Sequence, residues 1–159
     1  MYRSGTSVIR LDTVLPKEYP ALVDLWEASV RATHHFVSED EIQYYRPIIL
    51  HEYLRQMALT CARTDQGQIL GFAGAAAGKL EMLFLHPSAR GKGVGTRLVQ
   101  HVIRHQKVTK VDVNEENEQA LGFYRHLGFQ VEDRSPLDGM NRPHPILHMT
   151  LNLPRLGEE

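Results

Sequence analysis

The sequence predicts a single mixed α/β domain, a central sheet with helices packed on both of its faces. Three observations carry that prediction. Short apolar strands alternate with amphipathic helical stretches from Val8 to Leu153. One segment, Leu83 to Leu98, joins a strand to a helix through a turn punctuated by glycine. The 159 residues contain no internal repeat, low-complexity tract or interdomain linker, which fits one domain with a real core.

Each element has its own justification. Val8 to Val14 alternates loosely and reads as a first strand, followed by a helix over Pro16 to Val30 with Leu22, Val23, Trp26, Ser29 and Val30 on one face. Ser38-Glu39-Asp40-Glu41 has the spacing of a capping box and opens a second helical region. Pro47 interrupts it, so a kink or two short helices are expected before Met57. Leu59 to Arg63 and Gln68 to Ala76 read as strands around Asp65-Gln66-Gly67, and Lys79 to His86 as the next strand. Gly93 to His105 is helical and Val108 to Asn114 is a strand. Asn117 then caps a helix closed by Gly128. Phe129 to Asp133 and Ile146 to Leu153 are the last strands, joined by the turn-rich stretch Ser135 to Pro145. The tail from Pro154 is expected to fray.

The chemistry concentrates at Leu83 to Leu98. Pro87 cannot donate to a ladder, so the strand Leu83-Phe84-Leu85 ends there. Glycines follow at 91, 93 and 95, then an apolar helical stripe at Val94, Leu98, Val99, Val102 and Ile103. The first helical N–H groups lack intrahelical partners and carry the positive end of the macrodipole. Glycine at 93 and 95 lets a phosphate approach the backbone closely. The segment reads as a pyrophosphate seat. Two familiar phosphate loops fit it poorly. A dinucleotide fingerprint needs a third glycine where Thr96 stands, and a P-loop at Gly74 to Lys79 fails because Ala73 occupies its first glycine position and Leu80 replaces the hydroxyl.

Arg90-Gly91-Lys92-Gly93-Val94-Gly95 instead resembles the acyl-CoA loop of the GNAT acetyltransferase superfamily, (Arg/Gln)-x-x-Gly-x-(Gly/Ala). A second block, with Asn117, Ala120, Phe123, Tyr124, Gly128 and Phe129, matches that superfamily's Asn-x-x-Ala-x-x-Phe-Tyr-x-x-x-Gly-Phe pattern. The resemblance is close over Gly71 to Phe129. It implies a mostly antiparallel central sheet and acetyl-CoA as co-substrate, with no metal. It also implies direct transfer of the acetyl group, in a ternary complex, to a primary amine: a protein lysine or N-terminus, or a small-molecule amine. The alternative is a catalytically silent acyl-CoA-binding regulatory module.

The same resemblance assigns residues. Backbone at Leu83 and Leu85 would bond the pantetheine arm, and Arg90, Gly91, Lys92, Gly93, Val94, Gly95 and Thr96 would seat the pyrophosphate. Asn117 would touch the pantetheine, and Tyr124 would protonate the departing sulfur. Glu81 and Asp112 both stand where related enzymes hold a base. The loop with His34, Phe36 and Ser38, together with Asp138 to His144, would wall the acceptor pocket.

Composition narrows the partners. Net charge is −1 with no basic run, which argues against nucleic acid; the lack of an acidic cluster makes a polyamine a poorer acceptor than a lysine or small amine. No stretch approaches the roughly 18 apolar residues of a membrane span, and no signal peptide is read, so a cytoplasmic monomer or homodimer is expected. Cys61 is the single cysteine and reads as a buried strand residue. Among nine histidines, His101 and His105 lie one helical turn apart on a polar face, so neither is assigned a metal.

Overall fold

The computed structural model describes residues 8–33 and 37–152. His34 and Phe36, expected at the acceptor pocket, lie outside the described residues, as does the tail from residue 153. Among the described residues, seven strands form one sheet: β1 (Ile9–Thr13), β2 (Ala58–Thr64), β3 (Ile69–Ala76), β4 (Lys79–Leu85), β5 (Lys110–Asn114), β6 (Phe129–Ser135) and β7 (Ile146–Leu151), in the order β1-β2-β3-β4-β5-β7-β6. Every pairing is antiparallel except β4 with β5.

Strand alternation divides the core in two. Ala62, Ala73, Leu80, Val111 and Val113 face α3 (Val94–Gln106) and α4 (Glu118–His126), where Leu98, Val99 and Val102 are fully buried. Cys61 and Phe72 point to the opposite face, against Leu22, Trp26 and Val30 of α1 (Tyr19–Thr33) and Ile42 of α2 (Glu39–Ile48). Helices therefore cover both faces, as the sequence predicts. The expected buried cysteine is there too: Cys61 has no exposed surface, and burial pushes its thiol pKa up, which keeps it an unreactive thiol.

The capping box at Ser38 is formed in both directions, the Ser38 hydroxyl accepting from Glu41 N–H and the Glu41 carboxylate accepting from Ser38 N–H. Pro47 does not end α2 where it stands. The helix runs one residue past it, then widens into a π turn at Ile49–Tyr53 and tightens at Leu54–Gln56. A ring that removes one N–H and crowds the preceding turn is absorbed by that change of pitch. β5 begins at Lys110 rather than Val108, because Lys107 takes the left-handed conformation that ends α3 and the next residues turn into the sheet.

Candidate active site

The site begins where the sheet opens. β4 and β5 pair only through Lys79–Lys110 and Leu80–Val111, after which β4 stays with β3 and β5 with β7. Glu81 is the extra residue of a bulge, since Leu80 opposes Ala75 and Met82 opposes Gly74. His86 N–H is spent on the Leu70 carbonyl, on the β3 side, at 2.8 Å. Peptide groups alternate along a strand, so the Leu85 and Leu83 N–H groups point the other way, into the gap.

Beside that gap lies a cavity of about 590 Å³, lined by Leu83 and Leu85, by Arg90, Gly91, Gly93, Gly95 and Thr96, and by Asn117 and Tyr124. The structure thus gathers nine of the eleven residues assigned to CoA from sequence. Two differ. The Val94 side chain is buried in the core, which leaves its backbone alone to face a ligand, and Lys92 is exposed and outside the cavity lining. Gly91 and Gly93 hold φ of +75° and +78°, and a Cβ added at either would meet nothing within 4 Å. Backbone freedom and open space in front of the loop therefore coincide, and α3 begins at the next residue with its first N–H groups unspent. Among the described lining residues Arg90 is the sole charged one, so the wall repels no phosphate. Its guanidinium is steadied by Gln119 at 3.3 Å.

Asn117 does its capping work, accepting from Ala120 N–H at 3.0 Å, and that starts α4 at the angle that delivers Tyr124. Tyr124 is buried, stacked edge-on against Phe123 at 5.0 Å and Phe129 at 5.7 Å between ring centres. Burial raises its phenol pKa above the ordinary value, because the phenolate would lose its hydration. It is a protonated donor on the cavity wall at any physiological pH.

A second cavity, of about 300 Å³, lies on the α1/α2 face. Trp26, Tyr45, Tyr53, Met82 and Phe84 supply aromatic and apolar walls; Glu41, Asn114, Asp138, Arg142 and His144 supply polar ones. Phe84 lines both cavities, so they are neighbours at β4. From the segment Asp138 to His144, which the sequence reading assigns to an acceptor pocket, Asp138, Arg142 and His144 line this cavity; the aromatic walls have no local signal in the sequence. Arg142 is ion-paired to Glu41, and His144 Nδ1 lies 2.9 Å from Glu116.

The two base candidates are placed differently. Glu81 is exposed and lines neither cavity. Asp112 lies one strand step below Asn114, on the face of the second cavity. Its Oδ2 accepts from Lys79 Nζ at 2.5 Å and its Oδ1 lies 2.7 Å from His148 Nδ1. Burial would raise the Asp112 carboxyl, but the hydrogen bonds and charge of Lys79 and His148 hold it below the ordinary carboxylate range.

Comparison with known proteins agrees with this geometry. Residues 56–131 match the acetyltransferase (GNAT) domain. The chain is 35% identical over 133 residues to the peptidyl-lysine N-acetyltransferase YjaB of Salmonella typhimurium, covering 84% of this chain and 91% of that one. It superposes on the solution structure of apo YjaB from Escherichia coli with a TM-score of 0.80 at 34% identity, over 90% and 97% of the two chains. The fold also matches the PaiA N-acetyltransferase of Thermoplasma acidophilum in complex with coenzyme A, with a TM-score of 0.69 at 20% identity over 91% and 99%. The protein is an N-acetyltransferase that uses acetyl-CoA, and the silent-module alternative is set aside. The sheet that parts at Leu80, the glycine seat at α3 and the close relatives lead to one statement: this chain belongs to the GNAT acetyltransferase family.

Proposed function

We propose that this enzyme acetylates lysine side chains of a peptide or protein, with acetyl-CoA in the larger cavity and the lysine in the smaller one. The adjacency of the two cavities at Phe84, beside the β4–β5 gap, carries this reading. A lysine has a long apolar stem and a cationic tip. Trp26, Tyr45 and Met82 suit the stem, and Glu41 and Asp138 suit the ammonium before it loses its proton. Tyr44, Leu137 and Met140 are large exposed apolar residues, each adjacent in sequence or near it to cavity residues Tyr45 and Asp138. Such a rim suits a polypeptide better than a small amine. The relatives named for peptidyl-lysine acetylation point the same way.

In this reading the backbone N–H groups of Gly91 to Thr96 take the pyrophosphate, assisted by Arg90, and the Leu85 N–H hydrogen-bonds the thioester oxygen. One such donor can lower the barrier by roughly 3 kcal/mol. The neutral amine attacks the carbonyl carbon, the C–S bond breaks, and Tyr124 donates its proton to the sulfur. The acceptor must first be deprotonated, since an amine of pKa about 10.4 is neutral only about once in 2,500 molecules at pH 7. A screen of lysine peptides, peptide N-termini, polyamines and small amines, reading free thiol from acetyl-CoA, tests the acceptor. Lysine peptides should be the best substrates; transfer confined to small amines or N-termini would overturn the assignment.

A further inference from the structure

Asp112 does not stand alone. It faces His148 across β5 and β7, and the far nitrogen of that ring, Nε2, lies 2.7 Å from Ser135 Oγ on β6. The three side chains form one hydrogen-bonded line, with Lys79 closing its inner end on Asp112. Because Asp112 is held as a carboxylate, it requires the proton of His148 on Nδ1. That leaves Nε2 as the basic nitrogen, accepting the Ser135 hydroxyl. The arrangement matches that of a serine–histidine–aspartate triad. Here, however, Ser135 ends the edge strand β6, two strands away from the gap beside β4, roughly 10 Å at the usual strand spacing. That is the wrong place for a nucleophile meant to reach a thioester in the gap.

We infer that Asp112, His148 and Ser135 form the proton relay that deprotonates the acceptor amine, with His148 as its base and Asp112 as the residue that orients it. The inference rests on the lysine-acetylation reading. The relay stands at the root of the hairpin whose tip, residues 136–145, carries the cavity residues Asp138, Arg142 and His144. Its members share the face of Asn114, which lines the same cavity. Asp112, His148 and Ser135 do not themselves line the cavity, so the relay needs water beside residues 136–145 to carry the proton from the ammonium to Ser135. The ammonium gives one proton through Ser135 to His148 Nε2, and Asp112 stabilises the imidazolium. After attack the nitrogen loses its second proton as the C–S bond breaks; Tyr124 gives its proton to the departing sulfur, that second proton restores the phenol, and His148 releases the first proton to solvent, the one proton the transfer sets free. Charged groups of both signs face the ring. Asp133 lies directly opposite His148 on β6, and Glu132 accepts from Thr150 on the same sheet end; Lys79 and Lys110 approach from β4 and β5, Lys79 being already paired with Asp112.

The pH profile of kcat/KM for a lysine peptide tests the relay. In the wild type it should rise with pH through an inflection set by loss of the relay's proton. His148→Asn keeps the ring's hydrogen-bonding shape without a base, and should lower kcat/KM roughly a hundredfold and remove that inflection. His148→Ala should fall equally and recover on addition of free imidazole, which a merely structural loss would not do. Acetyl-CoA affinity by calorimetry should hold in both. A His148→Asn profile like the wild type's, a loss that imidazole does not restore, or an acetyl group found on Ser135 would overturn the relay. Wild-type enzyme that binds acetyl-CoA but acetylates no lysine peptide would instead overturn the acceptor reading, and the relay with it.

Discussion

The role proposed for Tyr124 requires a phenol that stays protonated, and its surroundings keep it so. Tyr124 lines the larger cavity, its ring packs edge-on against Phe123 and Phe129, and burial raises its pKa. Tyr124→Phe keeps the edge-on stacking and deletes the donor. Steady-state kinetics should show kcat lower by roughly tenfold to a thousandfold, with the KM for acetyl-CoA little changed. An unchanged kcat, with chemistry rate-limiting, would make Tyr124 a packing residue. Residues of this kind were legible in the sequence because Tyr124, Asn117 and the glycines 91, 93 and 95 sit in two local patterns whose spacing encodes a turn and a helix start. His148 and Ser135 were not. They lie 36 and 23 residues from Asp112 in the chain, and only the β5-β7-β6 order brings them together.

Among the elements, the β6–β7 connection supplies one wall of the smaller cavity, through Asp138, Arg142 and His144. It is tied to α2 by Arg142 and Glu41, and to the start of α4 by His144 and Glu116. Asp138 organises the turn internally, its Oδ1 accepting from the N–H groups of Met140 and Arg142 at 2.8 and 2.9 Å. Arg142→Ala removes one tie at a half-exposed pair, so stability should change by less than about 1 kcal/mol. The KM for a lysine peptide should rise several-fold, while the KM for acetyl-CoA stays at the wild-type value. Equal changes in both would place the hairpin outside the acceptor site. The strand–glycine–helix unit and the Asn117 cap were readable because their determinants are local. No local pattern in the sequence marks the parting of β4 from β5. The bulge at Glu81 that accompanies it was not foreseen, since a bulge is fixed by pairing with β3 rather than by any local residue pattern.

At the scale of the molecule, two cores on opposite faces of one sheet hold the gap open between them. The far edge of that sheet is fastened by Arg63, which is buried on β2 and donates to Asp12 at 2.9 Å and to Glu18 at 2.7 Å. The Arg63 hydrogen bond, followed by that from the Leu15 N–H, lowers the Glu18 pKa from 4.5 to about 2. A depressed carboxyl stabilises the fold above its unfolded pKa and loses that contribution as pH falls through the folded one. Denaturant unfolding should therefore show wild type more stable than Glu18→Gln by on the order of 2 kcal/mol at pH 7, the gap closing between pH 4.5 and 2. A gap independent of pH would mean that Glu18 acts by packing. The central claim, direct transfer between two cavities that are neighbours at Phe84, is tested most directly by initial rates with acetyl-CoA and a lysine peptide varied together. Intersecting double-reciprocal lines, with no acetyl group left on the enzyme, are the predicted result. Parallel lines with an acetylated side chain recovered from the enzyme would contradict it.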